Sequence, residues 1–270
     1  MDTETYLLVR ENKVTKANAL IQKSRYHLSK IEQRVILYII SKISPEDSEF
    51  KQYEFNIPDF CRICGLEDID GHHKQLKDTL LRLCNSKIWV KEGKKLFTLG
   101  WLAYAEIVEG SGTVAVEIDP RMKPYLLQLQ EQFTSYTLAY ALAFKSKYSI
   151  RLYELLKSIE NMDLPPSYTP EQLQDLMDSD YPRYYDFKKR SLIPAVQEIN
   201  EYSDIEVSFV EEKLKKRGSP VKSITFTVRT RNVAERVQNR QKIDKRMGTG
   251  GQLTIWEAVQ DADQRRHGTQ

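Results

Sequence analysis

The chain has 270 residues, of which 40% are hydrophobic and 29% charged, and a formal net charge of only +3. That balance describes a globular chain of about two domains, and no apolar run approaches the ~20 residues of a membrane span. The first ten residues lack the basic start and apolar centre of a signal peptide, and three cysteines make no disulfide framework, so a reducing cytoplasm is the expected setting.

In chain order, Leu28, Ile31, Val35, Tyr38 or Ile39, and Ile43 form a helical stripe. Ser29 and Glu32 have capping-box spacing at its start. Tyr53, Phe55 and Ile57 alternate as a short strand. A short helix is expected over 58–64, stopped by Gly65. Leu76, Leu80 and Leu83 mark a third helix opening near Asp70 and Gly71. Strand patterns follow over 87–90, 96–108 and 113–118, with Gly110-Ser111-Gly112 as a turn.

The second half repeats this order. A helix over 146–162 carries Tyr148, Leu152, Leu155 or Leu156, and Ile159, and Pro165-Pro166 end it. Thr169, Pro170 and Gln172 read as a capped helix start, with Tyr168 stapling onto Leu173. That helix is short and ends near Asp178. Next comes a basic cluster, Lys188, Lys189 and Arg190, and then an apolar stripe, Leu192, Val196 and Ile199. Two alternating runs follow, Ile205, Val207, Phe209 and Ile224, Phe226, Val228. Between them lies the basic tip containing Lys215, Lys216 and Arg217.

A helix with a basic start, followed by a hairpin with a basic tip, is the order of a winged helix. Such a fold places the helix in the major groove of duplex DNA and the wing on the backbone or minor groove. Leu192, Val196 and Ile199 repeat the spacing of Leu76, Leu80 and Leu83. The expectation is therefore an α+β chain of two tandem winged helices: an N-terminal domain over 1–130, a second over 131–231, and a charged, flexible tail over 232–270. Pro194 breaks the helical rule. Either the helix kinks there, or it begins near Pro194 and leaves the basic cluster in the preceding turn.

From about Asn12 to Arg231 the chain resembles the plasmid replication initiators of the iteron-binding, theta-replication type. The resemblance rests on a polar segment and long helix over 16–43, on Ser146-Lys147-Tyr148-Ser149-Ile150-Arg151-Leu152-Tyr153-Glu154-Leu155-Leu156, and on 187–200 with its proline. It implies two winged helices that bind repeated origin DNA as monomers. It also implies homodimers, joined mainly through the first domain, that repress the initiator's own promoter. Carried over by position, it makes Arg183, Lys188, Lys189 and Arg190 the reading set of the second domain. Lys74 and Lys77 are offered by the first domain, and Ser146, Lys147 and Arg151 are assigned to the DNA backbone. The Lys215, Lys216 and Arg217 loop has no base-reading geometry and is expected on phosphates. Origin opening and recruitment of host replication proteins complete the implied function.

Other readings compete. A basic triplet alone is ordinarily a solvated helix face; the wing and the matched phrase favour DNA. Cys61 and Cys64, with His72 and His73 nearby, have half the spacing of a zinc site. They fall at apolar positions of a short helix and read as packing. A rolling-circle nicking enzyme needs a tyrosine beside a two-histidine metal site. His72-His73 lacks the intervening residue, and Tyr136, Tyr140, Tyr148 and Tyr153 sit at packing spacing. A plain winged-helix transcription regulator is a third reading. No cofactor, metal or phosphate-cradling glycine loop is expected.

Beyond Arg231 the chain turns polar, reading as a charged helix, and Gly248-Thr249-Gly250-Gly251 reads as a linker. Then comes one apolar patch, Gln252, Leu253, Thr254, Ile255 and Trp256. It is similar to the short peptide by which bacterial replication proteins dock on the sliding clamp. Trp256 stands where phenylalanine is more usual. The competing reading folds these residues back onto the second domain.

Overall fold

The computed structural model describes residues 3–65, 69–162, 164–213 and 220–247. The first half begins α1 (Thr3–Glu11), β1 (Lys13–Ala17), α2 (Asn18–Gln22), β2 (Ser24–Arg25) and α3 (Lys30–Ile40). It continues β3 (Tyr53–Asn56), α4 (Ile57–Ile63), α5 (Ile69–Asn85), β4 (Lys87–Glu92), β5 (Lys95–Gly100), β6 (Leu102–Val108) and β7 (Thr113–Ile118). The expected capping box holds: Ser29 Oγ accepts from Glu32 N at 3.4 Å, and Glu32 Oε2 accepts from Ser29 N at 2.7 Å. Every residue of α3 from Glu32 to Ile40 is buried, so this helix is the centre of the domain rather than an amphipathic surface helix.

Two expectations fail here. The segment 16–43 is not one long helix. Lys13–Ala17 alternates, with Val14 and Lys16 buried, and pairs antiparallel with β8 (Phe133–Thr137). A strand edge far along the chain thus captures Lys16 and Ala17, which the family resemblance places in the long helix. The run 96–108 is not one strand either. β5 pairs with β4, while β6 pairs with β7, and the chain changes sheet at the buried Trp101. Gly100 permits the change: its N–H donates to Asp119 Oδ2 at 2.9 Å, and a Cβ there would lie 2.7 Å from that oxygen.

The connection runs through a 3-10 turn, α6 (Lys123–Leu126), β8 and α7 (Leu138–Ala143). The second half follows as α8 (Lys147–Lys157), β9 (Ser167–Tyr168), α9 (Pro170–Leu176), α10 (Tyr184–Phe187), α11 (Ile193–Tyr202), β10 (Ile205–Lys213), β11 (Val221–Thr230) and α12 (Val233–Arg246). The Thr169/Gln172 box is formed as expected. The two halves share a topology. The sheet β3-β7-β6 and the sheet β9-β11-β10 each place the last strand of a hairpin against the strand preceding the second helix. The hairpin β4–β5, joined by β2, is an addition to the first half.

Pro194 neither kinks a regular helix nor starts one. The helix is continuous over 184–202, with a π turn at Lys188–Leu192 between α10 and α11. Ile193 N–H reaches back to Lys188 O, one residue further than an α-helical bond. The wider turn accommodates the proline ring, which would otherwise clash with the preceding carbonyl. The basic cluster is therefore inside the helix.

The halves meet through buried polar contacts. Lys16 Nζ lies 2.5 Å from Glu154 Oε1, with both side chains almost wholly buried, and Tyr136 OH donates to the same oxygen at 2.5 Å. Arg34 Nη2 donates to Leu142 O at 2.6 Å and Phe144 O at 3.2 Å. The charged helix expected after Arg231 is α12. Asn232 caps it, and Asn239 and Ile243 are buried beneath it. Its Arg240 pairs with Glu11 of α1 and lies 3.2 Å from Asp244. The proposed clamp peptide, Gln252, Leu253, Ile255 and Trp256, lies outside the described residues.

Candidate nucleic-acid interface

The helix over 184–202 buries Phe187, Ser191, Leu192, Ala195 and Ile199 against the second core. This leaves Arg183, Tyr185, Lys189, Arg190, Ile193 and Gln197 exposed. Arg183 Nε donates to Asp186 Oδ2 at 2.7 Å, and Arg190 Nε lies 4.0 Å from the same carboxylate. Both arginines remain more than two thirds exposed. Asp186 thus holds them loosely on one side while leaving their donors open to a phosphate or a guanine edge. Lys189 Nζ sits 5.9 Å from the Tyr185 ring.

Lys188 has a different place. Its Nζ is 2.8 Å from Glu211 Oε1 on β10 and 5.9 Å from the Phe209 ring. Tyr184 OH donates to the same Glu211 at 2.6 Å. Burial opposes the Glu211 charge, but the hydrogen bonds from Lys188 and Tyr184 outweigh it and hold its pKa below the usual carboxylate value. Glu211 was not singled out in the sequence; a lone glutamate in an alternating strand gives no signal. It ties the reading helix to its wing.

In the first domain Leu76, Leu80 and Leu83 bury α5, and Lys74 and Lys77 are exposed on its outer face with Asp78 and Leu81. Arg82 Nε, a turn further, is 2.5 Å from Glu32 Oε1 and locks α5 to α3. In the second wing Lys213 and Lys222 are exposed at the ends of the described strands. Lys215, Lys216 and Arg217 lie outside the described residues.

The three residues assigned to the DNA backbone have structural partners. Ser146 caps α8, accepting from Tyr148 N at 3.1 Å. Lys147 Nζ is 2.7 Å from Asp178 Oδ2. Arg151 corrects the expectation outright. It is 4% exposed, donates twice to Leu176 O at 3.1 and 2.9 Å, and stacks 4.2 Å over the Tyr26 ring. Its helix face turns toward the junction of the two halves, where a planar guanidinium satisfies a carbonyl and an aromatic ring together.

Cys61 on α4 and Cys64 at its C-cap are 1% and 2% exposed, as their apolar setting suggested. Burial raises their pKa to about 11 and about 12. Among the described residues no group of three metal-ligating side chains is assembled. Tyr136 and Tyr153 are buried, and Tyr153 OH donates to Asp204 at 2.8 Å. Burial, with the neighbouring carboxylates, pushes both phenols far above their ordinary pKa. No described helix is long and apolar enough to cross a membrane.

Two winged helices in tandem, each presenting its third helix outward, define the architectural class. The chain belongs to the initiator replication protein family: residues 13–157 match its WH1 domain model and residues 170–228 its WH2 model. This makes the protein a DNA-binding replication initiator. It is 24% identical over 228 residues to a replication initiation protein of Escherichia coli, covering 80% of this chain and 69% of that one. An uncharacterized 27.6 kDa protein of Escherichia coli is 26% identical over 212 residues, or 72% of this chain and 87% of that one. The crystal structure of Pi initiator protein in complex with iteron DNA superposes with a TM-score of 0.67 at 17% identity, covering 83% of this chain and 99% of that one. That likeness establishes the shared fold.

Proposed function

We propose that this protein binds directly repeated duplex sequences at a replication origin, and that the helix over 184–202 reads them. The observation that carries the reading is the exposed Arg183, Lys189 and Arg190 face on a helix braced to its wing by Lys188 and Glu211. Lys74 and Lys77 on α5, and Lys215, Lys216 and Arg217 at the wing, supply phosphate contacts that fix register. The solved Pi initiator complex, whose DNA is an iteron, supports the same choice of partner. The protein acts by binding, not by cutting: supercoiled plasmid incubated with it and a divalent metal is expected to stay supercoiled, and relaxed, tyrosine-linked product would overturn this. Footprinting on the DNA flanking its own gene tests the central reading. Tandem protected repeats are expected; an unprotected region, or one isolated operator, contradicts it.

Two partner assignments extend the reading. A homodimer forms through an edge strand of the first domain and represses the initiator's promoter. β6 is such an edge, with Tyr104 and Val108 exposed along it. Val108→Lys is expected to yield monomers by sedimentation; an unchanged dimer moves the interface elsewhere. The Gln252-to-Trp256 peptide docks on the host sliding clamp, with Leu253, Ile255 and Trp256 as apolar anchors and Gln252 at the pocket rim. Clamp retention that survives Leu253→Ala/Trp256→Ala removes that assignment.

A further inference from the structure

The outer faces of the two third helices carry the same departure from a polar surface. On α5, Leu81 is 63% exposed, four residues beyond Lys77. On the second helix, Ile193 is 36% exposed, four residues beyond Lys189. Neither belongs to the buried stripe of its helix, which is Leu76, Leu80 and Leu83 in one and Leu192, Ala195 and Ile199 in the other. Single exposed aliphatics are common on protein surfaces. Here, however, an exposed aliphatic, Leu81 or Ile193, stands at the same spacing from a lysine on the face that each winged helix turns outward. Ile193 closes the π turn that carries Lys189 and Arg190, its N–H reaching back to Lys188 O, and all three side chains are exposed.

The apolar group a base pair offers in the major groove is the thymine C5-methyl, and an aliphatic side chain among cationic ones is the complement for it. We infer that Ile193, and Leu81 in the first domain, are specificity-determining residues that pack on thymine methyl groups, so that the 184–202 helix, and α5 in addition to its phosphate contacts, each demand a thymine at one position of the bound repeat. The inference rests on the DNA-binding reading above and sharpens it. The lysines and arginines attract the duplex wherever they meet phosphate; the aliphatics distinguish a thymine from the three other bases without a hydrogen bond. Burying one methyl corresponds to about a fourfold change in affinity.

The test begins with the full chain and a random-sequence duplex pool, from which the tightest-binding sequence is recovered. Each thymine of that sequence is then replaced singly by deoxyuridine, which removes the methyl and nothing else. The wild-type protein is expected to lose affinity about fourfold at particular thymines. Ile193→Ala is expected to become indifferent to deoxyuridine at one of them while keeping the penalty at the others. Leu81→Ala is expected to do the same at a different position. Both side chains are exposed, and an unchanged thermal midpoint confirms that each variant is folded. A flat deoxyuridine scan in the wild type overturns the inference and leaves DNA binding standing. So does a scan whose penalties are all unmoved by Ile193→Ala and Leu81→Ala. Failure to recover any preferred sequence overturns both.

Discussion

Lys188 Nζ and Glu211 Oε1 are 2.8 Å apart, joining the reading helix to the first strand of its wing. A basic cluster that looks uniform in sequence is therefore divided: Lys188 braces, while Lys189 and Arg190 face outward. Glu211→Gln is expected to act on DNA binding in the same direction as Lys188→Ala, although it removes a negative charge that would repel DNA. The expected cost in stability is about 1 kcal/mol for either, since the pair is partly exposed. Binding isotherms beside urea unfolding check this. Tighter DNA binding by Glu211→Gln would show that simple charge, not bracing, governs the pair.

The junction between the domains depends on Lys16 and Glu154, a buried pair 2.5 Å apart. Glu154→Gln leaves an ammonium in the interior without a counter-charge, and a loss of about 3 kcal/mol is expected. Burial lowers the Lys16 pKa from 10.5. Between that depressed value and 10.5 the unfolded chain binds the extra proton, so stability conferred through Lys16 rises with pH. The deficit of Glu154→Gln should therefore shrink as pH approaches 10.5, while Lys16→Met/Glu154→Leu should recover most of it at neutral pH. A deficit independent of pH argues that the charge of Lys16 is not its source.

Glu11, against Arg240 of α12, has its pKa raised from 4.5 to about 7, because burial outweighs the pull of the arginine. The native state then holds the proton more tightly than the unfolded chain. From this group alone, stability is greatest below pH 4.5 and falls as pH rises toward 7. Glu11→Gln abolishes that titration. Its stability relative to the wild type is therefore expected to rise by about 3 kcal/mol between pH 4.5 and pH 8, on top of a pH-independent cost of taking the Glu11 carboxylate from Arg240. Urea unfolding of both proteins at the two pH values decides it. A difference that is constant between the two pH values, or that moves against the variant as pH rises, contradicts the assignment.

What was legible in the sequence was local. The boxes at Ser29/Glu32 and Thr169/Gln172 span four residues each, and the leucine stripes of the third helices need only one helix to be read. What was not legible depends on partners distant in the chain. β1 exists because β8 pairs with it, and the change of sheet at Trp101 is set by Asp119 and by the two hairpins competing for the strand. The family phrase assigns Arg151 to the DNA backbone, and nothing near it in sequence announces Tyr26 and the Leu176 carbonyl. Under regular α-geometry Pro194 implies either a kink or a helix start; the π turn removes the conflict. Ile193 did carry a sequence signal, being apolar yet out of phase with Leu192, Val196 and Ile199.

The most direct measurement of the account is competition between a recovered repeat and a scrambled duplex of equal length, for the wild type and for Lys189→Ala/Arg190→Ala. The double variant is expected to keep its thermal midpoint and to lower its salt slope by about one for each phosphate it no longer neutralises. Its preference for the repeat over the scramble should fall at least tenfold, the scale of a single base-edge interaction. A folded double variant that retains the full preference would contradict the assignment of Lys189 and Arg190 on the 184–202 helix to the reading of DNA sequence.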